Sequence, residues 1–296
     1  MSAEAALSGG DYTLAPVRTP AQLDAAYDVL HTWFGVRGEI ERREVFEDWL
    51  STPDGRWVEG LRVRHHMTVA RGRDGAIAAV RDTHVIYDPE GRRCVVYLSH
   101  AYVEPPHRRT GLARRLRELP LAHARADLED WRANDASVLL GVEQEPIATG
   151  LEETVVRLVA YGRSGFRAID PRALPYCQAD FSDVAASGVP ARPLPLLAVV
   201  RHVGHEGEAD LPAPLAEAFV RHIYAVAGTH CRAADLEAPR RHALDALAEF
   251  TALAERAAPT VPLLPLPSAM DDQAAIAAVH ENACRPHFPA AWWRGA

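Results

Sequence analysis

The sequence predicts an α+β protein in which a mixed, mostly antiparallel central sheet is flanked by helices. Three observations support this class. Apolar residues repeat with helical spacing near both ends of the chain, strand-like segments separated by turns occupy its middle, and a continuous apolar run at residues 136–142 is typical of a buried central strand. The 296 residues are 48% hydrophobic and 24% charged, a balance that excludes a disordered or collagen-like chain.

The N-terminal part combines a short strand, two helices and a three-stranded antiparallel meander. In order, we expect a strand at 12–17, helices at 20–34 and 41–50, and strands at 67–71, 76–87 and 93–103. Thr19 followed by Pro20 and Gln22 is the pattern of a helix N-cap with a capping box. Gly72–Gly75 and Asp88–Gly91 are turn sequences between the strands of the meander.

The rest of the chain alternates helices and strands before it becomes mainly helical. We expect a helix at 111–132, a strand at 136–142, a helix at 151–163, strands at 166–169 and 195–202, and helices around 215–226 and 244–253. Pro120 should interrupt or kink its helix, because it lacks the N–H for the carbonyl four residues earlier. The proline-rich segment 259–267 predicts a linker or an extended wrap.

These elements group into three parts. Residues 1–10 are expected to form a flexible leader, residues 11–205 an α+β domain, and residues 206–296 a helical C-terminal extension. No internal repeat is apparent.

Composition and charge exclude several classes of protein. The chain has 32 basic residues, none of them lysine, against 40 acidic ones, and the net charge of −8 predicts neither a nucleic-acid nor a membrane partner. The four cysteines lie far apart, and residues 1–10 lack the features of a signal peptide, so we expect a reducing, cytoplasmic location. His65-His66 and His202 with His205 do not match zinc-enzyme spacings, which predicts surface or loop histidines and no metal.

The most informative segment joins the end of the meander to the next helix. A strand ends at Val103, a proline-stiffened loop follows, and a helix begins at or near Gly111. The N–H groups of a first helical turn are unsatisfied and favour anions, and a glycine there allows a ligand to approach the backbone. Arg108 and Arg109 add donors suited to phosphate oxygens. The segment therefore predicts a pyrophosphate-binding loop.

At these residues the chain resembles the GCN5-related N-acetyltransferase (GNAT) family. Arg108–Ala113 corresponds to the family's acetyl-CoA signature, Arg/Gln-x-x-Gly-x-Gly/Ala, and is preceded by a Val-x-Pro at Val103–Pro105. A Tyr-x-x-x-Gly-Phe run at Tyr161–Phe166 matches a second feature of the family. The resemblance covers about residues 12–202 and implies a GNAT-like sheet.

The resemblance implies that acetyl-CoA is the cosubstrate and that its acetyl group moves directly to an amine in a ternary complex. Tyr161 would protonate the departing thiolate, or would only pack its ring at the end of its helix. The residues implied in cofactor binding are Ala101, Val103, Arg108, Arg109, Thr110, Gly111, Leu112 and Ala113. A backbone N–H near Ala101 or Val103 would polarise the thioester carbonyl.

The general base is not determined by the sequence. Relatives often place an acid or a histidine at the positions that here hold Tyr97 and Ser99. His100 and Glu104 lie close by but should face the opposite side of the strand, unless a bulge turns them. The candidates that remain open are His100, Glu143, Glu145 and a water relay.

The function predicted is that of an N-acetyltransferase acting on a small-molecule or peptide amine. The alternatives are a GNAT-fold protein that binds acyl-CoA without turnover, as a sensor or interaction partner, and an enzyme that transfers a longer acyl group. The C-terminal helices are candidates for a lid, a part of the acceptor pocket or the face of a homodimer.

Overall fold

The computed structural model describes residues 3–35, 39–148, 152–178, 193–253 and 259–293. The chain divides between Ser137 and Val138 into two compact units, called unit 1 and unit 2 below. The boundaries expected at residues 10 and 205 stay predictions. No helix in the described part of the chain is both long and apolar enough to cross a bilayer.

Unit 1 is an antiparallel sheet with helices on both faces. Its elements are α1 (Ala3–Leu7), β1 (Thr13–Pro16), α2 (Pro20–Phe34), α3 (Arg43–Leu50), β2 (Arg56–Val58), β3 (Leu61–Arg71), β4 (Ile77–Asp88), β5 (Arg93–Tyr97), β6 (Ala101–Val103), a 3-10 turn (Pro105–His107) and α4 (Leu112–Asp130). The strands run in the order β1-β3-β4-β5, with β2 paired to β3 and β6 paired to β4. The antiparallel meander predicted from the sequence is therefore confirmed.

Two apolar clusters hold the helices of unit 1 against its sheet. One joins α2 and α3 to the sheet, with Leu23, Leu30 and Phe46 against Met67 and Val80. The other joins α4 to the opposite face and consists of Leu14, Ala70, Ala78, Ala79, Leu112, Leu116 and Leu119. Because side chains alternate along a strand, even-numbered residues of β4 from Val80 to His84 face α2 and α3.

Local sequence explains where the first long helix begins. The Thr19 hydroxyl accepts from the Gln22 N–H, and the Gln22 side chain accepts from the Thr19 N–H, so the predicted capping box is confirmed. Pro120 does not interrupt α4, which continues through it, and a kink at this position stays a prediction. Leu116 and Leu119, in the turn before Pro120, are buried, and their burial offsets the loss of one hydrogen bond at the proline.

The predicted strand at 93–103 is divided by an irregularity. Tyr97 lies opposite His84, and Ala101 lies opposite Arg81, so four residues on this side span three residues of β4. One extra residue between β5 and β6 makes a β-bulge. As a result Tyr97 and His100 face the same side of the sheet, although their numbers have opposite parity.

The N-terminal residues also differ from the predicted leader. The five residues of α1 form a helix that packs against α4. Glu4 is buried, and its carboxylate bonds the ring of His123 at 2.9 Å. A hydrogen-bonding side chain inside the segment therefore anchors it, whereas composition alone indicated a loose end.

Unit 2 is a second antiparallel arrangement with helices. Its elements are β7 (Ser137–Gln144), α5 (Glu152–Gly162), β8 (Arg167–Ile169), β9 (Cys177–Gln178), β10 (Leu194–Pro195), β11 (Leu197–His202), β12 (Asp210–Pro212), α6 (Ala213–Ala227), α7 (Ala233–Ala252), β13 (Thr260–Pro265), α8 (Gln273–Ala278) and α9 (Glu281–Cys284). Its main sheet runs β7-β11-β8-β13-β12, and β9 pairs with β10. Leu151, where α5 is predicted to begin, lies outside the described residues.

The expectation of a linker or wrap at residues 259–267 is wrong. This segment contains β13, which pairs with β12 at one end and with β8 at the other. Prolines are tolerated because their carbonyls still accept, as Pro259 does from Ala213 and Pro262 does from Asp170. The C-terminal extension is thus helical but also supplies two strands.

Candidate functional site

The predicted pyrophosphate loop has the backbone expected of an anion site. Gly111 is the N-cap of α4 with φ of +85°, a left-handed conformation that favours glycine. A Cβ built on Gly111 would meet no atom of the described residues within 4 Å, so the space that they leave beside its backbone is open. Because the cap is a glycine, no side chain occupies the free N–H groups of the first turn.

One side chain of this loop is buried in the protein, and most of the others are exposed to solvent. Leu112 is buried in the α4 cluster, whereas Arg108, Arg109, Thr110 and Ala113 are exposed. The Thr110 hydroxyl donates to the His107 carbonyl at 2.7 Å, and Arg108 Nε donates to the Val103 carbonyl at 3.1 Å. Arg108 and Arg109 are therefore accessible to solvent just before the N-terminus of α4.

The edge strand β6 leads into this loop. Asp82 donates its N–H to the His100 carbonyl, and Glu104 donates its N–H to the Ala78 carbonyl. In an antiparallel ladder the backbone groups of alternate residues point to opposite edges, so those of Ala101 and Val103 point away from β4. Within unit 1, β6 pairs with β4 alone.

A buried polar cluster lies on the α2–α3 face of the same sheet. It contains His65 on β3, Asp82 and His84 on β4, and His100 at the bulge, and all four are buried. Asp82 joins two of them: one carboxylate oxygen accepts from His65 Nε2, and the other accepts from His100 Nδ1 at 3.0 Å. Glu41 lies 3.9 Å from His100 Nε2 and is also buried.

The charges in this cluster are set by their partners. Burial alone would lower the pKa of His100, but the hydrogen bond to Asp82 and the charge of Glu41 outweigh it and raise the pKa to about 9. Burial alone would raise the pKa of Asp82, but the charge on His65 and the hydrogen bonds from His100 and His65 hold it well below its usual range. Asp82 and His100 are therefore a buried ion pair at neutral pH.

This ion pair predicts a pH dependence of stability. We expect the free energy of unfolding to fall as pH rises from about 6.5, where an unfolded histidine titrates, to about 9, where folded His100 loses its proton. The loss should be on the order of 3 kcal/mol. Urea denaturation at half-unit steps of pH measures it, and a level or rising profile over this range would contradict the assignment. The contribution of Asp82 disappears instead in acid, as pH falls below about 4.

The structure gives His100 a role different from the predicted general base. Its Nδ1 donates to Asp82, and its Nε2 donates to the Glu39 carbonyl at 2.9 Å. A ring that donates through both nitrogens has no lone pair available to take a proton from an amine. The bulge does reorient His100, as the sequence allowed. The ring points into the protein, where it is a buried cation.

The other predicted residues lie in unit 2. Glu143 on β7 accepts a hydrogen bond from the Tyr176 hydroxyl, and Glu145 pairs with Arg157 at 2.5 Å. Tyr161 is half-buried near the end of α5, and its ring packs edge-on against Phe166 with centroids 5.1 Å apart. The roles of Glu143 and Tyr161 stay predictions.

Two groups of side chains in the described residues have the chemistry of metal ligands. They are His65, Asp82 and His84, and His202, His205 and Glu208, with ligand atoms within 4.8 Å of one another in each group. In the first group Asp82 bonds His65 directly, and in the second His205 Nδ1 bonds a Glu208 oxygen at 2.8 Å. Because prospective ligands bond each other, we assign both groups as hydrogen-bonded clusters.

Asp82 and His84 are not among the residues predicted from the sequence, and His65 is not where it was predicted to lie. His65 lies in β3 with its side chain fully buried, so the expectation of a surface or loop histidine is wrong. A signal was present, because the four polar residues Arg81 to His84 interrupt the longest predicted strand. Polar residues inside a buried strand need partners there, which predicts a polar cluster but not its members.

Comparisons with known proteins place acetyltransferases among the similar structures. No protein-family model matches the chain, and no curated protein sequence matches it. The ribosomal-protein-S18-alanine N-acetyltransferase of Escherichia coli is similar at 17% identity and a TM-score of 0.36, over 65% of this chain and 94% of that chain. A GNAT-family acetyltransferase of Staphylococcus aureus is similar at 10% identity and a TM-score of 0.39, over 65% and 99% of the two chains.

A further similar structure is a GCN5-related glucosamine N-acetyltransferase region in a fungal multi-domain GH3 β-N-acetylglucosaminidase. It is 16% identical with a TM-score of 0.36, and the match covers 55% of this chain and 18% of that chain. The roles assigned to residues below rest on the geometry of this chain.

Proposed function

We propose that the protein is an acetyl-CoA-dependent N-acetyltransferase that acts on a small-molecule or peptide amine. The observation that carries the proposal is the backbone at Gly111, which is left-handed, uncapped by a side chain and open where a Cβ would stand. Such an open helix N-terminus suits an anion, and it occurs where the sequence resembles the acetyl-CoA signature of the N-acetyltransferases.

The pyrophosphate of the cofactor would bind at the N-terminus of α4. The N–H groups of the segment from Thr110 to Ala113 are the donors closest to that end of the helix. Exposed Arg108 and Arg109 would add charge-assisted hydrogen bonds to phosphate oxygens. Because Leu112 is buried, the loop would stay anchored to the protein while its exposed residues bind the pyrophosphate.

The reactive end of the cofactor would lie along β6. Backbone groups of Ala101 and Val103 point away from β4, which suits hydrogen bonds to an extended pantetheine chain. An N–H at this edge would stabilise the negative charge that builds on the thioester oxygen during attack. Tyr161 and Glu143 stay candidate acid–base groups on the resemblance alone.

The proposed cytoplasmic location is supported by the state of the cysteine thiols. The four cysteines are free, and burial raises the pKa of Cys94, Cys177 and Cys284, which keeps these three unreactive. Buried, unreactive thiols suit the reducing cytoplasm that the sequence predicts.

Replacement of Gly111 by Glu should abolish binding of acetyl-CoA. The new side chain would fill the open space, force a non-glycine residue into φ of +85° and place a carboxylate where the pyrophosphate binds. Acetyl-CoA at a concentration of 100 Kd should stabilise the wild-type protein by about 2.7 kcal/mol and should leave the variant unshifted. Thermal unfolding with and without acetyl-CoA, and with free CoA, measures the difference.

Gly60→Glu is the matched control. Gly60 also has a positive φ, +81°, and open space beside it, but it precedes the start of β3, away from the loop. This variant should bear the same backbone strain and charge and still be stabilised by acetyl-CoA. A wild-type protein that neither CoA nor acetyl-CoA stabilises would overturn the proposal. Stabilisation without acetylation of any amine in a broad panel would indicate a binding protein instead.

A further inference from the structure

The half-buried hydroxyl of Ser99 is connected to the interior by a buried histidine. Ser99 lies in the bulge, two residues before Ala101, and its Oγ is 3.3 Å from Nδ1 of His84. Ser99 is of intermediate exposure, whereas His84 is 4% exposed. The half-buried Ser99 hydroxyl, close to β6, and the buried His84 ring thus form a polar path into the buried cluster.

Aromatic and titratable groups from several elements enclose the ring of His84. Trp49 of α3 stands edge-on to it at 5.0 Å, and Tyr97 of β5 stacks on it at 6.2 Å. His65 of β3 lies 4.7 Å away, between centroids, and Asp82 of the same strand as His84 is close enough for its pKa to be lowered by His84. His84 is therefore shielded from bulk water but lies next to a negative charge.

Position distinguishes His84 from the other histidines of the cluster. Asp82 and Glu41 are the carboxyl groups of the cluster, and His100 lies beside both of them. His65 bonds Asp82, whereas the ring of His84 is the one joined to the half-buried hydroxyl of Ser99.

We propose that Ser99 and His84 form the path by which the acceptor amine loses its proton during acetyl transfer, a role that rests on the proposed function. An ammonium N–H gives its proton to Ser99 Oγ while the Ser99 hydroxyl proton passes to His84 Nδ1. The neutral amine then attacks the thioester carbon, so that a C–N bond forms and the C–S bond breaks. The second amine proton goes to the sulfur, which leaves as the thiol, and His84 returns its proton to solvent through Ser99.

Ser99 is the catalytic residue of this path, and His84 is the proton acceptor that acts through it. Replacement of His84 by Gln should lower kcat about 100-fold at pH 7, within the range for loss of an acid–base group. KM for acetyl-CoA and stabilisation by acetyl-CoA should not change. The loss should shrink at high pH, where the amine arrives already deprotonated, so in the variant the pH profile of kcat/KM for the amine should follow the pKa of the free amine.

The experiment uses steady-state kinetics from pH 6 to 10, with acetyl-CoA and the best acceptor from an aliphatic diamine, an amino sugar and a peptide with a free N-terminus. Ser99→Ala should show the same change of pH profile, and Ser99→Thr, which keeps a hydroxyl, should restore the wild-type profile. His66→Gln is the matched control, because His66 is the next residue after His65 but bonds Asp127 on the opposite face. It should keep the wild-type rate and profile.

The outcomes separate this inference from the proposed function. A wild-type pH profile in both Ser99→Ala and His84→Gln, with acetylation intact, would overturn the proton path and leave the acetyltransferase standing. A wild-type protein that acetylates none of the three amines and is not stabilised by acetyl-CoA would overturn the proposed function and the path with it. If His84→Gln does not fold, the paired Ser99 variants decide the question alone, because their half-buried site tolerates the change.

Discussion

Replacement of Asp82 by Asn is expected to lower the free energy of unfolding at pH 7 by about 3–5 kcal/mol. Asp82 is 1% exposed and accepts hydrogen bonds from His65 and His100 through its two oxygens. An amide keeps one acceptor but turns a donor toward the other ring, and it leaves the His100 cation buried without its counter-charge. Chemical denaturation of the two proteins measures the difference.

The same substitution should also remove a pH dependence. Without Asp82 the main cause of the raised pKa of His100 is lost, so the decline of stability from pH 6.5 to 9 should flatten. Asp130→Asn is the control, because Asp130 also forms an ion pair, with Arg64 at 2.8 Å, but its side chain is 58% exposed. That change should cost less than about 1 kcal/mol. Equal effects of the two substitutions would contradict a buried ion pair.

Replacement of Phe219 by Ala is expected to destabilise unit 2 by about 3–5 kcal/mol. Phe219 on α6 is fully buried, and its ring packs edge-on against Tyr176 with centroids 5.2 Å apart. Its ring edge also fills the place beside β7 where Gly141 has no side chain. Truncation would leave a cavity there, which denaturant unfolding would register as a lower midpoint with an unchanged slope.

Gly141→Ala tests the same contact from the other side. A Cβ at Gly141 would lie 2.4 Å from Phe219 Cε2, so the single substitution should destabilise by about 1–3 kcal/mol. In the Phe219→Ala background the added methyl group would occupy the cavity, and the same substitution should become neutral or stabilising. Such a reversal of sign is a direct measure of coupling between the two sites.

Gly207→Ala is the control for backbone effects. A Cβ at Gly207 would meet no atom within 4 Å, and its φ is not in the left-handed region, so the change should be neutral or slightly stabilising. If Gly141→Ala destabilises equally in both backgrounds, the cause is the backbone of β7 and not the packing of Phe219.

Much of unit 1 could be predicted from the sequence because its signals are local. The capping box at Thr19 and Gln22 involves residues three apart, and the turn at Gly72–Gly75 closes with the Gly75 N–H donating to the Gly72 carbonyl. The left-handed backbone of Gly111 is also a local feature, because it depends on the loop and the helix that neighbouring residues form. These interactions act over a few residues, so residue types alone specify them.

Only part of the candidate site could be predicted from the sequence, because the rest depends on contacts between residues far apart in the chain. The predicted cofactor loop is one continuous segment, but the buried cluster gathers side chains from two strands and a bulge, with Asp82 and His100 18 residues apart. Whether His84 faces Ser99 depends on one extra residue between Tyr97 and Ala101. A shift of one residue reverses the face of every following side chain, and no local signal in the sequence reports it.

The sequence by itself determined the class of the fold, the meander, and the starts of the helices at Pro20 and Leu112. Only the tertiary structure decided which way His100 points, that the prolines of residues 260–265 lie in a strand, and that Glu4 anchors the N-terminal helix. Local preferences select each element, but burial and strand register come from pairings between distant residues, and these assign each polar side chain its partner and its charge.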